Sequence, residues 1–151
     1  MNKVYVAFGT NIGDKTDNIE QALKLMEDRG LKIIKKSSIV STEPYGYTNQ
    51  PEFLNGVVEV ITDLNPRQVL ETLLNIEKDM GRIREFKWGP RNIDLDIIFF
   101  NSDVINEEDL KIPHPDMHNR EFVLKPLCEI APELVHPILK KSINQLLDEL
   151  Q

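Results

Sequence analysis

The chain has 151 residues, one cysteine, 18 basic against 25 acidic side chains, and a net charge of −7. That length predicts one domain spanning 1–151 with a core that needs no staples, and a lone cysteine excludes a disulfide framework, a cysteine zinc site and an iron–sulfur cluster. The acidic balance argues against a nucleic-acid partner, and with neither a membrane-length apolar run nor a signal-peptide core in Met-Asn-Lys-Val-Tyr-Val, a soluble cytoplasmic protein without a membrane partner is expected.

Val4-Tyr5-Val6-Ala7-Phe8 reads as a first strand ended by Gly9. From about Asp17 a helix presents Ile19, Ala22, Leu23 and Met26 on one face, with Gly30 as its stop. Residues 32–42 predict a second strand. Phe53 to Thr62 is a third, with Leu54, Val58 and Val60 on one face and Phe53, Asn55 and Val57 on the other. Asn65-Pro66 is an N-cap followed by proline at the first helical position; that helix runs through Val69, Leu70, Leu73, Ile76 and Met80 and closes at Gly81. A fourth strand begins at Asp94. Strand–helix–strand–strand–helix–strand is the ferredoxin-like split βαβ order. The expected fold is therefore α+β, a βαββαβ core whose antiparallel sheet has its helices packed on one face. From about Asp103 the chain is proline-rich and predicts an irregular C-terminal extension. It ends in a capped helix at Ser142-Ile143-Asn144-Gln145, with Leu146, Leu147 and Leu150 inward. Two loops, Glu43 to Glu52 and Arg82 to Arg91, are long for a compact domain, which favours function.

The fourth strand is the most informative. Alternation in Ile93-Asp94-Leu95-Asp96-Ile97-Ile98-Phe99-Phe100 sets Ile93, Leu95, Ile97 and Phe99 on a core face and Asp94 and Asp96 on the other, with Ile98 and Phe100. At roughly 6.5–7 Å the two carboxylates repel by about 2 kcal/mol at an effective dielectric near 20. Folding does not call for such a pair. A hard cation such as Mg²⁺, held by one or two carboxylates plus substrate phosphates, would remove the repulsion. Just upstream, Arg82, Arg84, Lys87 and Arg91 stand against Glu85 alone, a basic loop suited to a small anionic ligand.

There is no phosphate-binding glycine loop, and Gly9-Thr10-Asn11-Ile12-Gly13 is a strand-to-helix turn rather than a dinucleotide fingerprint. Any nucleotide must be held by metal ions and by arginines, including Arg120. Phe53, Asn55, Tyr45, Tyr47 and Phe122 could sandwich a flat heterocycle while an amide reads its edge. Read singly, Phe53 and Phe122 are ordinary core and each arginine is a solvated surface charge. His114 and His118 have four-residue spacing, but Pro113 and Pro115 forbid the regular helix of a zinc motif. His136, beside Pro137, reads as structural.

Lys87-Trp88-Gly89-Pro90-Arg91-Asn92-Ile93-Asp94-Leu95-Asp96 resembles the signature of the 6-hydroxymethyl-7,8-dihydropterin pyrophosphokinases of folate biosynthesis. So do Ala7-Phe8-Gly9-Thr10-Asn11, Phe53-Leu54-Asn55, Gly81-Arg82-Ile83-Arg84, Pro113-His114, Asn119-Arg120-x-Phe122 and Glu129-Ile130-Ala131-Pro132-Glu133-Leu134. The resemblance implies transfer of pyrophosphate from ATP to the pterin hydroxymethyl oxygen, giving AMP. By it, Asp94 and Asp96 match the ligands of two Mg²⁺ ions, and Arg82 and Arg91 match residues that support the transferring phosphates. Glu77, Arg84, Lys87, Trp88, Arg91, Ile97, His114 and Arg120 fall at positions around ATP. Thr42, Pro44, Tyr45, Phe53, Asn55 and Phe122 fall in the pterin pocket, where Asn55 reads the ring edge. The two long loops correspond to segments that close over the substrates. Leu74 and Asp109 depart from the polar and arginine residues of relatives. Small-molecule substrates and a monomer are expected. An RNA-recognition module shares the element order, but Asp94 and Asp96 would repel phosphate there. A catalytically idle ligand sensor of the same fold is the other alternative.

Overall fold

In the computed structural model, residues 1–42, 52–81 and 92–151 are described. Their elements run β1 (Asn2–Thr10), α1 (Lys15–Asp28), β2 (Lys32–Lys36), β3 (Val40–Thr42), β4 (Phe53–Thr62), α2 (Pro66–Asp79) and β5 (Asp94–Phe100). A hairpin of β6 (Ile105–Glu107) and β7 (Leu110–Ile112) follows, then a 3₁₀ turn (Met117–Asn119), α3 (Glu121–Ile130) and α4 (Ile143–Leu150).

Several helix boundaries have a local cause. Asp14 caps α1 by accepting from the Asp17 N–H, and Asn65 and Gln68 form a capping box around the proline that opens α2. Gly30 and Gly81 follow the two helices at φ +95° and +73°, a backbone state that favours glycine. Ser142 and Gln145 form the expected capping box of α4.

The main sheet has the order β2-β4-β1-β5, with β3 also on β4 and every pairing antiparallel. This is the ferredoxin-like arrangement, with β4 filling the gap between β1 and β2. The stretch 32–42 is two strands rather than one. Buried Ser37 breaks it, its N–H donating to the Val57 carbonyl and its hydroxyl accepting from the Val57 N–H. Ser38 then leaves the sheet to donate from both N–H and hydroxyl to Glu129.

The sheet separates two apolar layers. Val4, Val6, Phe8, Val58 and Val60 face α1 and α2, meeting Ile19, Met26, Val69, Leu73 and Ile76. On the reverse face Tyr5, Val57, Ile98 and Phe99 meet Val123, Leu124, Leu127, Ile143 and Leu146. The two core helices lie on one face as expected, but the extension is far from irregular: α3 and α4 cover the other face. Proline obscured this, since Pro126 sits inside α3. Leu150, expected inward, is 37 % exposed.

One correction concerns the carboxylate strand. The β1–β5 register passes from Tyr5↔Phe99 to Val6↔Ile97, so Ile98 is an inserted residue, a β-bulge. The bulge breaks the alternation. Phe99 joins Ile98 on the α3/α4 side, and Phe100 joins Leu95 and Ile97 on the α1/α2 side.

Candidate functional site

The site forms at the β3-end, β4-start and β5-start edge of the α3/α4 face. Residues paired across antiparallel strands point to the same side. Asp94, Gly9 and Asn55 therefore form one row across β5, β1 and β4, and Asp96, Ala7 and Val57 form the next. With strands about 4.8 Å apart, Asp94 and Asn55 sit roughly 10 Å from each other across a glycine. Both aspartates are half-buried, on the face opposite Leu95 and Ile97.

Asn55 is held firmly. It is 7 % exposed, and its Nδ2 donates to Thr42 Oγ1 at 2.7 Å. Its Oδ1 leans over Gly9, where an added Cβ would come within 2.8 Å of that oxygen. Gly9 is thus part of the site, a role the sequence reading missed by treating it as a strand end. Glycine inside a strand that continues to Thr10 is the signal that could have found it, since it marks close approach of another group. Phe53 and Thr42 are cross-strand partners, so Thr42, Phe53 and Asn55 share one side, and Phe53 is only half-buried.

A second wall comes from the chain after β7. The His114 N–H donates to the Ile98 carbonyl at 3.1 Å, tying this segment to the outer edge of β5 beside the bulge. His114 Nδ1 accepts from the Asp116 N–H at 3.2 Å. Burial pulls this imidazole down to about 4; Arg120 pushes the same way, against the opposing pull of Asp116 and Asp94. Asp94, His114 and Arg120 therefore lie within electrostatic reach of each other. Arg120, at the N-cap of α3, donates from Nε to Asp116 Oδ2 at 3.3 Å and stands 5.8 Å above the Phe122 ring. Phe122 is half-buried against the α3/α4 layer rather than lost in it. Asp116, which holds both His114 and Arg120, was not singled out from the sequence.

Glu77 and Ile97 stand apart. Ile97 turns its side chain into the α1/α2 core, leaving only backbone for a ligand. Glu77, 4 % exposed, accepts the Leu95 N–H through Oε2 at 2.8 Å. Leu74 is exposed, and Asp109 is paired with Arg67 at 2.7 Å. His136 is structural as expected, its Nδ1 accepting from the Ile138 and Leu139 N–H groups. Arg82, Arg84, Lys87, Trp88, Arg91, Pro44, Tyr45 and Tyr47 lie outside the described residues. Both segments concerned, 43–51 and 82–91, join the chain at this end of the sheet.

The donor chemistry suits a hard cation. Among the described residues no group of three or more His, Cys, Asp or Glu side chains converges, so Asp94 and Asp96 would supply two carboxylates and leave further positions to phosphate and water. That is the pattern of Mg²⁺ rather than of Zn²⁺ or Ca²⁺.

The arrangement is a ferredoxin-like α+β domain whose sheet face carries a carboxylate pair beside a fixed amide. Known proteins narrow it. Residues 5–132 match the family of 7,8-dihydro-6-hydroxymethylpterin-pyrophosphokinase (HPPK), and the chain belongs to that family. The 2-amino-4-hydroxy-6-hydroxymethyldihydropteridine pyrophosphokinase of Bacillus subtilis is 46% identical over 134 residues, 88% of this chain and 80% of that protein. The Aquifex aeolicus protein of the same name is 39% identical over 149 residues, 99% of this chain and 92% of that protein. The Schizosaccharomyces pombe folic acid synthesis protein fol1 is 42% identical over 99% of this chain, which spans only 21% of that longer protein. Among solved structures, wild-type Plasmodium falciparum HPPK-DHPS matches with a TM-score of 0.78 at 19% identity, over 98% of this chain and 44% of that one. This likeness concerns the fold.

Proposed function

We propose that this chain transfers the terminal pyrophosphoryl group of ATP to the hydroxymethyl oxygen of 6-hydroxymethyl-7,8-dihydropterin, releasing AMP, as a step of folate biosynthesis. Family membership supports the reaction class, and the kinase family implies ATP as co-substrate. The observation that carries the reading is the Asp94–Gly9–Asn55 row, which sets an amide and a carboxylate on one face.

In this reading Asn55, locked by Thr42, reads the pterin edge, while Phe53 and Phe122 offer ring faces and Pro44 and Tyr45 complete the pocket. Two Mg²⁺ ions held by Asp94 and Asp96 would neutralise the polyphosphate and lower the pKa of the substrate alcohol. Taking triphosphate at about −4, two ions at +4 and two aspartates at −2 leaves about −2 for basic side chains. Arg82 and Arg91 take the transferring phosphates; Arg84, Lys87, Trp88, Arg120 and His114 surround ATP. A neutral His114 at physiological pH, its Nδ1 already accepting from the Asp116 N–H, carries its proton on Nε2 and can donate a single hydrogen bond there without adding charge. No described helix is long and apolar enough to cross a membrane, and the reading places a monomeric enzyme in the cytoplasm.

Incubation with MgATP and the reduced pterin alcohol tests this: AMP and pterin diphosphate are expected in equal amounts. ADP would mean monophosphoryl transfer, and binding without product would identify a sensor.

A further inference from the structure

We propose that Glu77 is a positioning residue for the carboxylate pair, acting through the backbone of the residue between the two aspartates; this rests on the pyrophosphokinase reading above. Among the described residues β5 is an edge strand, so its outward N–H groups need acceptors other than a neighbouring strand. At Leu95 the missing partner is the Glu77 carboxylate, 2.8 Å from the amide nitrogen. Leu95 separates Asp94 from Asp96, and a strand residue whose N–H is pinned fixes the direction of both neighbours.

Burying a carboxylate costs free energy unless strong hydrogen bonds offset it. Glu77 is 4 % exposed, next to fully buried Ile76 and one helical turn from Leu73, on the helix face that packs the α1/α2 core. An apolar residue would suit the neighbouring side chains but leave the Leu95 N–H without this acceptor. A charged acceptor there makes a stronger bond to the N–H than a neutral one. The same helix end grips the strand a second time: Asn92 Nδ2 donates to the Met80 carbonyl at 2.7 Å, and Asn92 Oδ1 accepts the Ile93 N–H at 3.0 Å. α2 thus clamps the 92–95 segment at two points. The clamp joins Met80 directly to Asn92 and so ties the end of α2 to the strand that carries Asp94 and Asp96.

Two variants and two readouts test the clamp. Glu77→Gln keeps an acceptor for the Leu95 N–H; Glu77→Leu removes it and suits the apolar surroundings, so it should fold, as far-UV circular dichroism would verify. In metal-free protein the Leu95 amide should be protected from hydrogen exchange in wild type and Glu77→Gln and lose protection in Glu77→Leu. In turnover assays Glu77→Leu should lower kcat about 10–100-fold and raise the Mg²⁺ concentration for half-maximal rate, with the KM for ATP at saturating Mg²⁺ little changed. Glu77→Gln should stay within about threefold of wild type, as its neutral carbonyl makes a weaker bond of the same geometry. Normal kcat and Mg²⁺ dependence in Glu77→Leu would overturn the proposal, leaving Glu77 merely structural. A raised KM for ATP in both variants with Mg²⁺ dependence unmoved would overturn it in favour of direct nucleotide contact. Wild-type enzyme that makes no AMP would instead sink the pyrophosphokinase reading, while the exchange result would still report on the clamp.

Discussion

Four residues carry the sharpest consequences. Asp94 and Asp96 flank Leu95 with their side chains on the site face, so removing either disarms the site and spares the core. Asp94→Ala and Asp96→Ala should each lower kcat by at least about 10²-fold while far-UV circular dichroism stays that of the folded protein, as paired kinetic and spectroscopic assays would show. A variant with near-normal rate would remove the carboxylate-held metal from the mechanism. Gly9→Ala forces Asn55 Oδ1 aside, since the new Cβ would lie 2.8 Å from it. Losing one good hydrogen bond should raise the KM for the pterin about tenfold and leave that for ATP unchanged. His114 sets a pH dependence. Its folded pKa of about 4 lies below the unfolded value of 6.5, so between those values the unfolded chain binds the proton more readily. Stability of ligand-free protein should therefore fall as pH drops from 6.5 toward 4. His114→Gln should melt with a shallower acid slope, and an identical slope would show that the imidazole does not contribute.

At the scale of elements, β1 and β4 pair closely because small residues stand where neighbours need room. Gly56 on β4 pairs with Phe8 on β1, and a Cβ at Gly56 would collide with the Phe8 ring, which is itself buried. Gly56→Ala should destabilise by about 1–3 kcal/mol, read as a lower denaturation midpoint at unchanged m-value. The strand periods of β1 and β4, the Asn65 N-cap of α2 and its proline were all legible in the sequence because each depends on neighbours within a few residues. The bulge at Ile98 was not. Nothing in Ile97-Ile98-Phe99-Phe100 distinguishes a strict alternation from an interrupted one, since all four residues are apolar and suit either face. The insertion is decided by β1, where Tyr5 must meet Phe99 while Val6 meets Ile97. Tyr5 adds a reason: its ring meets Phe99 edge-on at 6.3 Å, its hydroxyl donates to buried Glu59, and burial together with that carboxylate raises the phenol's pKa.

The whole molecule is a sheet sandwiched between two helix layers, and the second layer is what makes the site face possible. α3 brings Arg120 and Phe122 to the pocket, while α4 closes the layer through Ile143 and Leu146. Burial of those two side chains stabilises by roughly 1.5–3 kcal/mol each, a large share of the total for a domain of this size. A chain shortened to end at Lys141 should lose about 10 °C or more in melting temperature and bind the pterin less well. An unchanged melting curve would show that the C-terminal layer is dispensable.

The sequence alone determined the order of the core βαββαβ elements, the split βαβ topology and the carboxylate pair, because periodicity, capping and turn chemistry act over short spans of chain. Its motifs also determined the family, with Asn55, Phe122, His114 and Arg120 named before any contact was visible. Only the tertiary structure decided that a proline-rich tail forms the second helical layer, that Gly9 makes room for Asn55, and that Glu77 grips Leu95. Each joins residues far apart in the chain, and a pairing of that kind leaves no local period: whether a side chain is ligand, spacer or anchor depends on what the fold sets opposite it.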